Sequence, residues 1–160
     1  MYRFDLIIPV IEYSSTEELD GKYKNIIKSA YDACSTSYAP FSKFCVGAAV
    51  LLENGEIIKG SNQENVAYPS GLCAERVAVF YANSFYPAIP VIAIAIAASV
   101  AGVPCKEPVY PCGSCRQSLL QSEQRFGKNI RVFMVGSEKI RMVESVKDLL
   151  PLGFDFELGW

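Results

Sequence analysis

Three cysteines and one glutamate stand where two helices are expected to begin. Cys73 and Glu75 open the apolar stretch "CAERVAVF", and Cys112 and Cys115 follow Pro111, a residue that suits a first helical turn. The three-residue spacing of Cys112 and Cys115 places both thiols on one face of a helix or tight turn. Helix starts stabilise negative charge, and thiolates bind zinc. The pattern therefore predicts a zinc site with Cys73, Cys112 and Cys115 as ligands.

Glu75 is expected to act on water rather than to bind the metal. Residues two apart on a regular helix point about 200° from each other. For both side chains to face one metal, Cys73 must lie in the capping turn and Glu75 in the first helical turn. Three protein ligands and an open fourth position are typical of catalytic zinc, which lowers the pKa of a water to about 7. Glu75 would accept a proton from this water and pass it to the substrate.

The other cysteines leave further interpretations open. Cys34, Cys45 and Cys105 are predicted to be packed thiols. A lone C-x-x-C also occurs in redox proteins and in structural zinc sites, where Cys105 would supply a fourth thiolate. Redox chemistry would leave "CAE" without a role, so C-A-E combined with P-C-x-x-C favours catalytic zinc.

The composition argues against several classes of function. The chain of 160 residues contains no histidine, which excludes Ser-His-Asp catalysis, Cys-His catalysis and histidine metal ligands. A net charge of −2 argues against a general affinity for nucleic acid or anionic membrane. We find no signal peptide, and the longest apolar run, 91–103, is too short to cross a bilayer. We expect a cytoplasmic protein with reduced thiols.

The order of elements predicts one α/β domain over residues 1–160, with an amino-terminal arm at 1–14. A hairpin is expected around Asn54-Gly55, and "VIAIAIAA", "IRVFMVG" and "IRMVES" indicate three further strands. Helices are expected at about 17–33, at about 73–83, from Pro111 onward and, briefly, in "VKDLLP". Helices that alternate with apolar strands indicate a mixed sheet covered by helices.

These motifs resemble the zinc-dependent cytidine deaminases of the small homotetrameric type, in the cytidine and deoxycytidylate deaminase superfamily. The resemblance spans about 38–154 and includes "FSKFCVGAAVLLENGEIIKGSNQENVAYPSGLCAER", "PCGSCRQ" and "LLPLGF". It implies a three-layer α/β/α sandwich around a mixed five-stranded sheet, one Zn²⁺ per chain and a homotetramer with shared active sites. Cys45 and Val66 stand where such sequences usually have proline and alanine. The arm at 1–14 and the segment "AGVPCKEPVY" (101–110) lie outside the resemblance.

The resemblance also implies roles for residues around the substrate. Asn62 and Glu64, in "NQEN", match the pair that holds the ribose hydroxyls. Phe44 would stack against the pyrimidine, and the backbone of Ala74 would contact the base.

Three more residues match positions beside the metal or at a subunit boundary. Arg76 matches an arginine that donates hydrogen bonds to the ligand sulfurs and tempers their negative charge. Tyr68 and Phe154 match positions that complete the site of a neighbouring subunit.

The reaction implied is zinc-dependent hydrolysis of cytidine and deoxycytidine to uridine, deoxyuridine and ammonia, a step of pyrimidine salvage. Two alternatives remain: a deaminase for another aminopyrimidine nucleoside, such as blasticidin S, and a non-catalytic zinc-binding scaffold. "NQEN" argues against the first, and Glu75 argues against the second, because a structural site needs no such carboxylate. Deamination of nucleotides or polynucleotides would call for a basic groove, and no basic cluster accompanies the motifs.

Overall fold

A computed structural model describes residues 1–154. Within these residues the helices are α1 (Gly21–Ala33), α2 (Ala74–Phe85) and α3 (Gly113–Phe126). The strands are β1 (Ile11–Tyr13), β2 (Phe44–Leu52), β3 (Ile57–Ser61), β4 (Val91–Val100), β5 (Val103–Pro104), β6 (Arg131–Val135) and β7 (Ile140–Val143). No helix in this described part of the chain is long and apolar enough to cross a membrane.

The strands form one mixed sheet in the order β1-β7-β6-β4-β2-β3, and β5 pairs with β4 beyond the end of β6. β4 and β6 run parallel, whereas the other neighbours are antiparallel. The predicted Asn54-Gly55 turn joins β2 to β3, and Gly55 has a φ of +91°, a conformation that suits glycine.

Helices cover both faces of the sheet, which confirms the predicted three-layer α/β/α sandwich. On one face, α1 buries Ile26 and Ile27 against Ala49, Ala95 and Phe133 of the sheet. The other face carries α2 and α3, whose apolar side chains pack against alternate residues of the same strands. Successive side chains of β2 and β4 point to opposite faces, so these strands contribute to two cores, one on each side of the sheet.

The prediction of five strands was wrong, because the sheet has seven. The five predicted strands are present as β2, β3, β4, β6 and β7, and the additions are β1 and β5. β1 has three residues and β5 has two, so neither is long enough to show the alternation from which a strand is predicted. The apolar run at 91–103 also contains a turn that its composition does not indicate. Ala101 and Gly102, between β4 and β5, both adopt positive φ.

The first helix begins later than predicted. Ser15 and Glu18 form a capping box, but the turn that they cap is a separate 3₁₀ segment, Thr16–Glu18. Leu19 returns to an extended conformation, and Asp20 then precedes α1. The predicted short helix near the carboxyl end is likewise a 3₁₀ turn, Val146–Leu149.

One glycine lets α2 approach the sheet closely. A Cβ atom at Gly60, in β3, would lie 2.5 Å from the carbonyl oxygen of Ala74 and 2.6 Å from the amide nitrogen of Ala78. Any side chain at this position would push the start of α2 away from the sheet. Gly60 therefore fixes the position of the helix start that carries Cys73 and Glu75.

Candidate active site

The starts of α2 and α3 bring together three cysteines that are distant in the sequence. Cys73 and Cys112 are the cap residues of the two helices, and both have extended backbones with ψ of 154° and 168°. Cys115 lies in the first turn of α3 and is fully buried. Cys73 precedes the helix and Glu75 lies inside its first turn, and both residues line the same cavity.

The spacing of the three thiols fits zinc. The Sγ atoms of Cys73 and Cys112 are 3.8 Å apart, and those of Cys112 and Cys115 are 3.5 Å apart. All three sulfur atoms lie within 4.8 Å of one another. Tetrahedral zinc with Zn–S bonds of about 2.3 Å requires sulfur atoms about 3.8 Å apart. Cys73, Cys112 and Cys115 would thus hold the ion and leave a fourth position free. Cys105 is not a member of this group.

The pKa of the Cys73 thiol is lowered to about 5 by hydrogen bonds from Cys115 and Arg76, which together outweigh the effect of burial. The Cys115 thiol shows the opposite behaviour, because its hydrogen bond to Cys73 and its burial raise its pKa. Arg76 donates from a terminal guanidinium nitrogen to the Sγ of Cys73 at 3.7 Å. Its Nε is buried with no hydrogen-bond partner among residues 1–154. Arg76 thus supplies the positive charge beside the thiols that the resemblance implied.

Glu75 is a buried carboxylic acid beside the thiol cluster. The residue is 4% exposed, and burial raises the pKa of its carboxyl group, with a further increase from the charge of Cys73. A carboxyl group of raised pKa can both accept and release a proton nearer to neutral pH than an exposed one. This environment suits a residue that transfers protons.

A cavity of about 690 Å³ opens in front of the thiols. This volume falls in the range that accommodates small organic ligands. Nine of the eleven predicted site residues line it: Phe44, Asn62, Glu64, Tyr68, Cys73, Ala74, Glu75, Arg76 and Cys112. Among the described residues of the lining, Arg76 is the one cationic side chain, and it is already bonded to Cys73.

Asn62 and Glu64 line the cavity and also organise the backbone around it. Asn62 accepts a hydrogen bond from the amide of Val46 at 2.8 Å and donates one to the carbonyl of Phe44 at 3.0 Å. Oε2 of Glu64 accepts from the amides of Phe41 and Ser42 at 2.8 Å and 3.2 Å. The Ser42 hydroxyl and these amides lower the pKa of Glu64. The second amide hydrogen of Asn62 and Oε1 of Glu64 are not used by these bonds.

The two residues predicted at a subunit boundary differ in position. Tyr68 lies in the cavity lining, is 78% exposed and packs edge-on against Phe41, with ring centroids 6.4 Å apart. Phe154 does not line the cavity of its own chain and is 74% exposed. Its carbonyl oxygen accepts a hydrogen bond from Gln117 of α3 at 3.0 Å. Within one chain, Phe154 is therefore not part of the site.

Several residues of the cavity wall were not predicted from the sequence. Phe41 and Leu72 line it next to predicted residues, and Val109 and Tyr110 line it just before Cys112. Proximity to Cys112 in the sequence is the one signal that could have indicated Tyr110.

Comparisons with known proteins agree with this geometry. The family described as "Cytidine and deoxycytidylate deaminase zinc-binding region" matches residues 21–128. A cytidine deaminase of Halalkalibacterium halodurans is 44% identical over 132 residues, which are 82% of this chain and 93% of that protein. The crystal structure of cytidine deaminase from Burkholderia pseudomallei superposes with a TM-score of 0.69 and 34% identity, over 82% of this chain and 98% of the other. The crystal structure of cytidine deaminase from Mycobacterium tuberculosis superposes with a TM-score of 0.66 and 29% identity, over 86% of this chain and 100% of the other.

The fold and the three-thiol site define a zinc-binding α/β protein. The chain belongs to the cytidine and deoxycytidylate deaminase family, because the family match covers more than half of it and includes all three thiols. Zinc is accordingly its metal, as predicted.

Proposed function

We propose that this protein catalyses the hydrolytic deamination of cytidine and deoxycytidine to uridine and deoxyuridine, with release of ammonia. The observation that carries the proposal is the meeting of the buried Glu75 with the thiols of Cys73, Cys112 and Cys115 at one end of an open cavity. The identity of 44% to a cytidine deaminase along most of the chain supports the same reaction.

Cys73, Cys112 and Cys115 would hold the metal beside the cavity. Zinc, when bound there, lowers the pKa of a water molecule to about 7 and so supplies the nucleophile. Glu75 would take a proton from the attacking water and donate it to N3 of the cytosine ring as the water oxygen adds to C4. Glu75 would then take the second proton from the added oxygen and pass it to the amino group, so that C4=O forms as the C4–N bond breaks and ammonia leaves. Burial of Glu75 excludes bulk water from this proton transfer.

The remaining side chains orient the nucleoside. Phe44 flanks the pyrimidine, and the backbone of Ala74 contacts its edge. The free amide hydrogen of Asn62 and the free carboxylate oxygen of Glu64 bind the sugar hydroxyls. A carboxylate at this end disfavours a 5′-phosphate, and the one cation of the described lining is bonded to Cys73. The substrate is therefore a nucleoside rather than a nucleotide or a polynucleotide.

A deaminase for another aminopyrimidine nucleoside, such as blasticidin S, and a non-catalytic zinc scaffold are the competing functions. Against the first, Asn62 and Glu64 together suit the diol of an ordinary ribose. Against the second, burying the carboxyl group of Glu75 is costly, and a structural metal site would not need it.

We also propose a homotetramer in which Phe154 and Tyr68 reach a neighbouring site. Support comes from their exposure and from Phe80, Tyr81 and Phe85, which lie exposed on α2. Light scattering should give the mass of four chains, and a fully active monomer would contradict shared sites. Residues 1–160 as one domain and a cytoplasmic location stay predictions from the sequence.

The proposed activity is tested with four substrates at equal concentration: cytidine, deoxycytidine, cytidine monophosphate and single-stranded DNA. We expect ammonia from the two nucleosides and little or none from the other two. Turnover of the monophosphate or the DNA at a comparable rate would contradict the assignment of a nucleoside substrate.

A further inference from the structure

The two segments that the family resemblance leaves unexplained meet at one arginine. Glu12 of the amino-terminal arm lies in β1, and Tyr110 ends the segment 101–110. Both are bonded to Arg141 in β7. Neither segment has a role in the reaction described above.

Arg141 is held in place by its strand and by both partners. In the antiparallel pairing of β1 with β7, Glu12 and Arg141 are directly opposite each other. Nε of Arg141 donates to Oε2 of Glu12 at 2.8 Å, and a terminal nitrogen donates to the phenol oxygen of Tyr110. The side chains of Arg141 and Glu12 are 35% and 52% exposed, so solvent screens this ion pair, and the strand pairing rather than the charge holds Glu12 in place. The guanidinium thus forms a fixed link between the arm and Tyr110.

Tyr110 belongs to the cavity wall. It lines the cavity together with its neighbour Val109, two residues before Cys112. Tyr110 is 46% exposed, and the hydrogen bond from Arg141 to its hydroxyl favours one orientation of the side chain. A bulkier ligand that displaced the ring would have to break this hydrogen bond, so the ring disfavours such a ligand.

We propose that Tyr110 is a specificity-determining residue, fixed by Arg141 and Glu12 as positioning residues, which limits the size of the group on the reacting carbon of the pyrimidine. The proposal rests on the proposed deaminase function. It assigns the wall next to Cys112 to the amino group, because the thiols mark the end of the cavity where that group must react. The arm thereby influences substrate choice without touching the substrate.

A second arginine of the same protein provides a matched control. Arg131 of β6 donates from Nε to Glu144 at 2.6 Å and from a terminal nitrogen to the phenol of Tyr23. Tyr23 is buried against Phe133, with ring centroids 4.9 Å apart, and does not line the cavity. The two arginines therefore have the same kinds of partner, and Tyr110 faces the cavity whereas Tyr23 does not.

The test uses N4-methylcytidine as a competitor of cytidine. Its inhibition constant is divided by the KM for cytidine, and the ratio is measured for the full-length wild-type protein and each variant. We expect Tyr110→Ala to lower this ratio about tenfold, because one methyl group in a hydrophobic pocket changes discrimination by about 10- to 200-fold. Arg141→Met and Tyr110→Phe should each lower it by about threefold, since the ring stays but is no longer fixed.

A double variant and the Arg131 control show whether Arg141 acts through Tyr110. In a Tyr110→Ala background, Arg141→Met should change the ratio no further, because it acts through Tyr110. Arg131→Met should leave the ratio unchanged even if it lowers the melting temperature. An unchanged ratio in Tyr110→Ala would overturn the proposal, as would an equal effect of Arg131→Met or an independent effect of Arg141→Met. A wild-type protein that does not deaminate cytidine would contradict the proposed function itself, which separates the two failures.

Discussion

The Sγ atoms of Cys73 and Cys112 lie 3.8 Å apart, although 39 positions separate these residues in the sequence. Each residue caps a different helix, and both helices pack on the same face of the sheet. Removing one of these thiols should therefore abolish the metal site, because two remaining ligands hold zinc weakly. We expect Cys112→Ala to contain less than about a tenth of the wild-type zinc, measured by atomic absorption on purified protein.

Cys105→Ala is the matched control for that variant. Cys105 lies outside the group of three thiols, so its removal should leave about one zinc per chain. Loss of zinc from Cys105→Ala would support the four-thiolate structural site that the sequence left open.

Arg76 should control the ionisation of Cys73 in the metal-free protein. Cys115 and Arg76 hold the pKa of Cys73 at about 5, so at pH 7 its thiol is ionised and reacts with iodoacetamide. Arg76→Met removes a hydrogen bond and a positive charge, which raises the pKa. The midpoint of Cys73 labelling should move to higher pH, as read by peptide mass spectrometry.

Arg116→Met serves as the control for the Arg76 variant. Arg116 donates to the carbonyl oxygens of Pro111 and Leu149 rather than to a thiol. Its removal should leave the labelling midpoint of Cys73 in place. If both variants shift the midpoint equally, the effect is a general loosening of the site and not the charge of Arg76.

Glu64→Gln should weaken recognition of the sugar without disturbing the loop around Phe41. Glutamine can still accept from the amides of Phe41 and Ser42, but it lacks the charge. We expect the KM for cytidine to rise by about tenfold or more, because the variant loses one charge-assisted hydrogen bond to the sugar. The KM for 2′,3′-dideoxycytidine, which lacks both hydroxyls, should change little. Equal increases for both substrates would indicate that Glu64 does not contact the hydroxyls.

Gly60→Ala should destabilise the fold at the start of α2. The new Cβ atom would lie 2.5 Å from the carbonyl oxygen of Ala74, and backbone must move to relieve that contact. We expect a loss of about 1–3 kcal/mol in the free energy of unfolding by urea. Gly21→Ala is the control, since no atom lies within 4 Å of its added Cβ and alanine favours a helix. An unchanged free energy of unfolding in Gly60→Ala would mean that α2 can move away from the sheet without destabilising the fold.

The meeting of the three thiols at two helix starts could be predicted from the sequence because its signals are local. Cap positions, the proline before Cys112 and the spacing to Cys115 depend on a few neighbouring residues. Helix packing on the sheet then brings the two local patterns together.

The features that were missed depend on contacts between distant residues. β1 is a strand because Glu12 and its neighbours pair with β7, and three residues carry no pattern of their own. Tyr110 lines the cavity because backbone hydrogen bonds hold its chain segment against the turn between β6 and β7 and because Arg141 donates to its hydroxyl. The capping box at Ser15 indicated a helix start but could not give the length or type of the helix that follows.

The most direct test of the account compares the wild-type protein with Glu75→Gln in one experiment, with ammonia release from cytidine and zinc content measured on the same samples. We predict about one zinc per chain in both proteins and turnover in the wild type, with a loss of at least about 100-fold in the variant, because general acid–base catalysis contributes that much or more. Zinc with turnover retained in Glu75→Gln would contradict the role of Glu75 in proton transfer. Wild-type protein that holds zinc but releases no ammonia would contradict the deaminase itself.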